Sequence, residues 1–381
     1  MDKICHDIPM LDTNDGNIVL FHPHVPRAAI KLVEETLHSR WIGQGPKVEL
    51  FEKKFGDKFG GGFISVSVGS GTDALHLAYI LAGIGPGDEV VSPVFTCTAT
   101  NIPFLYIGAK VRFADVQVGT LNLDPNHVRT LVNEKTKAIV CVHYGGLPCD
   151  MTELQEIANQ WNIPIIEDAA HAVGAMYKGK YIGSISDFTT FSFQALKHIT
   201  TGDGGMLVLK NADLAEKAKR IRWFGIDRSA KKMGIWVNDI TEVGFKYQMT
   251  DIAAAMGLAA LDEIDETLRY RKMLLSFYEE GLKNVPGLHF ISGGCRDREH
   301  AAWLCTVIVE KRIQLQKKLM ENRIESDQVH YRNDRYSIFG GRRKDLPNMD
   351  AIENKYLVLP LHTKMSVQDV DRICNVIRSG W

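Results

Sequence analysis

The stretch IPIIEDAAHA, Ile163 to Ala172, is an apolar run that ends in two acids, Glu167 and Asp168, and then small residues. An apolar run of this length reads as a strand buried on both faces, and acids at its C-terminal end lie where ligands bind in open α/β sheets. Reading outward, strand-like runs at Phe63–Ser67, Glu89–Ser92, Val111–Ala114 and Ala138–His143 alternate with helical stretches from Thr72, near Ala99, near His127 and from Met151. Strands separated by helices of this length imply βαβ units. The expected fold is α/β, a mostly parallel sheet sandwiched by helices. Two further runs, Phe188–Phe193 and Gly205–Leu209, are joined through the Gly-rich turn TTGDGG, so that end of the sheet need not be parallel.

From Asp251 to about Lys283, Ala253, Met256, Leu258, Leu261, Ile264 and Leu268 give an apolar helical face. This segment reads as the bridge into a second unit. Beyond it, a strand-like Trp303–Val309 and amphipathic Ile313–Glu321 and Val367–Ile377 indicate a smaller α+β part. The expected division is a large unit over residues 1–260 and a small one over 261–381. A chain of 381 residues is long enough for two or three domains with a real core. Its 45% apolar and 24% charged residues exclude a disordered or fibrous chain. A net charge of −1 provides no basic field for nucleic acid or an anionic membrane. Seven cysteines, without a C-x-x-C pair, favour a reducing cytoplasm. Met1 to Met10 lacks the basic-then-apolar pattern of a secretory signal. The uncharged run between Glu89 and Lys110 holds Pro93, Asn101, Pro103 and several Ser and Thr, which suits a buried strand and helix and not a lipid-facing one. No metal site is expected.

Three constellations carry chemistry. In VSVGSGTDAL, Val66–Leu75, a strand enters a helix through Gly69, Ser70, Gly71 and Thr72; small residues and free N–H groups there favour a phosphate. The same turn fits G-x-G-x-x-A with Gly69, Gly71 and Ala74, the pattern of a nicotinamide-dependent oxidoreductase. However, the acids Asp88 and Glu89 precede Val90 and Val91 of the next strand instead of ending it, so the ribose partner is misplaced. A tight turn that binds nothing is the other reading. Asp168 either faces the crevice or caps a helix. In FSFQALKHITTGDGG, Phe191–Gly205, Lys197 follows an apolar strand; it is either a solvated surface lysine or a desolvated one that serves as a nucleophile. A phosphate cradle, a crevice acid and an activated lysine together are the parts a pyridoxal phosphate enzyme needs.

The motifs SRWIGQGPKVELFEKKF (Ser39–Phe55), GSGTDAL, GIGPGDEVVSP, VHYGGLPCDM, IIEDAAHAVGA, KHITTGDGGM, MTDIAAAMGLAAL and LVLPLHTKMSVQDV (Leu357–Val370) follow one another along the chain. In this order they resemble the DegT/StrS family of nucleotide-sugar aminotransferases, which have the fold type I, aspartate aminotransferase-like architecture. The resemblance covers most of the chain. It implies that Lys197 forms the Schiff base, that Asp168 pairs with the pyridine nitrogen, and that Gly71, Thr72 and Ser192 contact the phosphate. It also implies a homodimer with shared active sites, in which GFKYQMTD (Gly244–Asp251) reaches the neighbour and Lys246 is a cation given in trans. Three positions depart from the commonest pattern of the family. His171 stands where glutamine often contacts the ring oxygen, Cys97 where an aromatic often stacks on the ring, leaving a role for nearby Phe95, and Lys246 where asparagine is frequent. Relatives that dehydrate carry histidine at the lysine position; here Lys197 is present and His198 follows it, which favours transamination.

The implied reaction moves an amino group, expected from glutamate, onto a keto-deoxysugar linked to a nucleotide diphosphate. The setting is amino sugar biosynthesis for a surface polysaccharide such as lipopolysaccharide O-antigen, in the cytoplasm and without nucleic acid or membrane. Trp41, Gly43 and Gln44, with His330, Tyr331 and Arg332 of VHYRNDRYS, are the candidates for the sugar pocket; Arg332 has the planar fork to grip a diphosphate. A solvated loop is the alternative for these residues. The competing functions are the oxidoreductase and a regulatory protein that keeps the cofactor without turnover.

Overall fold

The computed structural model describes residues 10–13, 16–228, 234–235, 239–291 and 294–381. The N-terminal segment read above for a secretory signal therefore lies, up to residue 9, outside the described residues.

A seven-stranded sheet holds the centre. Its strands are β1 (Ile64–Val68), β2 (Glu89–Pro93), β3 (Lys110–Ala114), β4 (Thr136–Val142), β5 (Ile165–Asp168), β8 (Phe188–Ser192) and β9 (Gly205–Leu209). They lie in the order β1-β9-β8-β5-β4-β2-β3. Pairing from β8 through β3 is parallel, and β9 runs antiparallel to both of its neighbours, β8 and β1. The link between β8 and β9, which ends in TTGDGG, contains no helix to carry a crossover, and the two strands pair antiparallel. A hairpin of β6 (Met176–Tyr177) and β7 (Lys180–Tyr181) adds β11 (Arg298–Glu299), and β10 (Leu288–Phe290), β12 (Cys305–Val309) and β13 (Tyr356–Leu359) form a second small sheet.

Helices α1 (Arg27–Leu37), α2 (Pro46–Phe59), α3 (Gly71–Leu81), α4 (Thr98–Tyr106), α5 (Pro125–Leu131), α6 (Met151–Trp161) and α7 (Ala212–Ile221) accompany the large sheet. The segment from Asp251 to about Lys283, expected to be helical, forms two helices, α8 (Asp251–Asp262) and α9 (Ile264–Gly281), followed by α10 (Arg312–Glu321), α11 (Pro347–Ile352) and α12 (Val367–Arg378). Each cap has a local cause. Ser70 accepts the N–H of Asp73 at the start of α3, and Thr250 accepts that of Ala253 at the start of α8. Asp251 reaches back with its carboxylate to the N–H groups of Gly45, Lys47 and Val48, fixing the start of α2.

Apolar clusters on the two faces of the large sheet centre on Phe51, Phe55 and Phe193, and on Tyr79, Val140 and Leu207. A third cluster joins α9, α10, α12 and the second small sheet, and it includes Ile18, which bridges to Ile324. Among the described residues no helix is long and apolar enough to cross a membrane.

β1 lies at the sheet edge, paired only with antiparallel β9. A dinucleotide fold requires the glycine-turn strand to have parallel neighbours at a switch point of the sheet. The Gly69-x-Gly71-x-x-Ala74 turn therefore does not belong to a nicotinamide site, and the oxidoreductase reading is withdrawn.

Candidate active site

Because β1, β2, β5 and β8 point the same way, their C-terminal ends meet on one edge of the sheet. There a cavity of about 330 Å³ is lined by Gly71, Thr72, Cys97, Asp168, His171, Ser192, Lys197 and His330, among others. Residues from chain positions far apart thus face one volume.

At one end, β1 turns into α3 over Ser70, Gly71 and Thr72, with Ser192 from the end of β8 against it. A Cβ on Gly71 would lie 2.8 Å from the Cβ of Ser192, so only glycine permits this approach. The Thr72 hydroxyl makes no hydrogen bond within the described residues, and the open N–H groups of the first turn of α3 add donors. This end of the cavity suits an anion.

Asp168 ends β5. One of its oxygens accepts the N–H of Ala170 at 3.1 Å and the other accepts the Thr100 hydroxyl at 2.7 Å. Since that proton goes to Asp168, Thr96, 2.8 Å from Thr100, donates to it in turn. Burial raises the Asp168 carboxyl above the usual carboxylate range, while Thr100, the Ala170 N–H and the charge of Lys197 pull it back. It does not cap a helix. Lys197 follows β8, its backbone N–H held by the carbonyl of Gln194. Burial lowers its amine from the usual lysine value to about 8, opposed by Cys97 and Asp168. Its Nζ lies 3.8 Å from the centre of the Trp303 ring.

His171 stacks on Trp303 with centroids 3.7 Å apart, and its Nε2 is 3.4 Å from that of His330. Burial and the charge of Lys197 hold both imidazoles below the usual histidine value, His330 at about 3. His198 turns away and bonds the carbonyl of Ala301 at 2.8 Å. Phe95 does not replace an aromatic beside Cys97, because it is buried against Tyr144 and Tyr356. The aromatic wall comes instead from Trp303 and Phe21, whose rings stack 6.0 Å apart.

Other expected residues stand outside this cavity. Lys246 is exposed, with Nζ 3.6 Å from the centre of the Trp223 ring. Trp41 and Gly43 are exposed; the carbonyl of Gly43 takes the Asp251 N–H, and Gln44 accepts from Arg228 at 2.7 Å. Tyr331 is half-buried under Arg335. Arg332 is a correction. Its side chain is fully buried and engaged by Asp334, Asp350 and Glu353, so its fork is satisfied internally and does not face a diphosphate. Sequence reasoning missed Thr100, Trp303 and Phe21. Thr100 stands one residue past the Thr98 and Ala99 that open α4, a position visible only once α4 is placed; for Trp303 the sequence showed only a strand-like run.

An amine driven toward its neutral form and a carboxylate at the end of the central parallel strand, with anion donors beyond them, fit the aldehyde, ring nitrogen and phosphate of one group. That group is pyridoxal phosphate, and the class is the fold type I enzymes that use it. A family model described as the DegT/DnrJ/EryC1/StrS aminotransferase family matches residues 24–378, and the chain belongs to that family. It is 36% identical over 380 residues to the GDP-perosamine synthase of Caulobacter vibrioides, covering 98% of this chain and 97% of that one. AtS13 from Actinomadura melliaura has the same fold with a TM-score of 0.92 at 36% identity, over 97% of this chain and 100% of that one. The putative sugar aminotransferase Spr1654 from Streptococcus pneumoniae, solved in PLP and PMP forms, gives a TM-score of 0.89 at 30% identity, over 95% of this chain and 98% of that one. The chain is an aminotransferase with pyridoxal phosphate as cofactor.

Proposed function

We propose that this enzyme moves the amino group of glutamate onto the ketone of a nucleotide-linked deoxysugar, in the cytoplasm, to make an amino sugar for a surface glycan such as O-antigen. The observation that carries the reading is the convergence of Lys197, Asp168 and the Gly71–Thr72–Ser192 cradle on one cavity. Family membership and the likeness to a GDP-perosamine synthase support the substrate class.

When bound, the cofactor supplies an aldehyde that takes up the amino group and a ring that accepts electrons. Thr72 and Ser192 hold its phosphate with their hydroxyls and Gly71 with its N–H. Asp168 keeps the ring nitrogen protonated. Lys197 would hold the aldehyde through its amine, and the same amine would serve as acid and base in both halves of the reaction. His171 would donate to the ring oxygen, and Cys97, which lines the same cavity, would border the ring.

The working unit is a homodimer. Among the described residues Lys197 is the one lysine or arginine lining the cavity, and Lys246, exposed and outside it, supplies a further cation to the neighbour's cradle. Leu37, Trp41, Ile42 and Leu50 are exposed apolar side chains open to a second copy. Trp41, Gly43 and Gln44, with His330 and Tyr331, border the sugar side. A large unit over residues 1–260 and a small one over 261–381 frame the cleft.

The test is turnover with glutamate and a panel of keto-deoxysugars on dTDP, GDP and UDP. Transfer to one member, with 2-oxoglutarate formed in equal amount, is expected. Inactivity across the panel in protein that shows the cofactor's visible absorbance would favour the regulatory alternative.

A further inference from the structure

Trp303 is tied to the lysine it faces. Its indole N–H donates to the carbonyl of Leu196, the residue before Lys197, at 3.1 Å, and the Lys197 Nζ lies 3.8 Å from its ring centre. Phe21 and His171 stack on the same indole, and it is buried. The ring is therefore fixed and the amine has come to it.

The other groups around that amine give it little. Lys197 makes no ion pair or hydrogen bond through Nζ within the described residues. Asp168 from β5 and Cys97 at the start of α4 favour its charge only from a distance, and His171, His330 and His198, all held below the usual histidine value, bring no negative charge to balance it. A desolvated ammonium without a carboxylate partner is stabilised by an aromatic face more than an exposed one is.

We propose that Trp303 is a positioning residue that receives the Lys197 amine whenever it is not bonded to the cofactor, and that its ring face stabilises the protonated form between the two halves of the reaction. This rests on the cofactor reading above. The lysine must accept a proton at one carbon and return it at another. With nothing to hold the ammonium, burial would keep the amine neutral and fit to take protons, but poor at delivering them.

The experiment follows the rate at which the cofactor-free protein captures pyridoxal phosphate, read by visible absorbance, as a function of pH. Only the neutral amine attacks, so the midpoint reports the amine. In Trp303→Leu the midpoint is expected to fall by about half to one pH unit, and in Trp303→Phe to lie between that and the original. Steady-state kinetics are expected to show Trp303→Leu lowering kcat more than the KM for glutamate. A midpoint unchanged in both variants, with capture intact, would overturn the proposal. Should Trp303→Leu fold poorly, Trp303→Phe and Trp303→Tyr decide it, since a purely structural role moves stability and not the midpoint. If the original protein develops no visible absorbance with pyridoxal phosphate, the cofactor reading itself has failed, which is a different result.

Discussion

Lys197 is a lysine that its surroundings push toward neutrality, and this has a consequence in solution. Its amine titrates at about 8 instead of near the ordinary lysine value. The neutral, attacking form therefore accumulates as pH rises through that point. Cofactor capture by the cofactor-free protein is expected to accelerate up to about pH 8 to 9 and then level off, where an ordinary lysine would still be gaining at pH 10. Stopped-flow absorbance checks this. Arg332 makes the opposite kind of point. The fork geometry expected to grip a phosphate is spent on Asp334, which is as deeply buried as Arg332 itself. Arg332→Met is expected to cost about 3 to 5 kcal/mol of stability, because it leaves a buried carboxylate unpaired, with little change in KM for the sugar nucleotide. Urea denaturation and steady-state kinetics separate the two readings. A residue's chemical type was visible in the sequence; what already satisfied it was not.

At the scale of the element, the start of α3 does the most. It combines a glycine that only bare backbone could replace, a cap by Ser70 and open N–H groups against Ser192. Gly71→Ala is expected to weaken pyridoxal phosphate binding by about tenfold or more, since the new methyl must displace Ser192, whereas Ser192→Ala should lose less, a single hydroxyl donor. Equilibrium dialysis of the two variants gives the order. The alternation of strands and helices from Gly62 to Leu209 was legible because buried β-branched runs and glycine turns are local signals. So were Asp168 and Lys197, each sitting where such a run ends. The order of the strands was not legible. That β1 lies at the edge, which decides against a dinucleotide site, is a property of pairing between segments more than a hundred residues apart, Ile64 with Leu209. The break between α8 and α9 and the small hairpin β6–β7 also escaped notice, being too short or too uniform in composition to leave a period.

On the scale of the whole molecule, the cleft gathers residues from both ends of the chain. Phe21 comes from the start, the cradle and Asp168 from the sheet, and Trp303 and His330 from the later part. One hydrogen-bond path joins these regions: Asn333 donates to the carbonyl of Thr96 at 2.7 Å, and Thr96 leads through Thr100 to Asp168. Asp168 and the loop bearing His330 are thus set relative to each other by buried polar contacts, which are costly to break. The dimer proposed above has its own test. Lys197→Ala and Lys246→Ala protomers, each weakly active alone, are expected to regain activity when mixed, because one site per mixed dimer then has both lysines; a Lys246 acting within its own chain would give no recovery. The most direct measurement is borohydride reduction of the cofactor-loaded protein followed by peptide mapping. A phosphopyridoxyl group is expected on the peptide carrying Lys197 and none in Lys197→Ala. The label on another lysine, or an unchanged map in the variant, would contradict it.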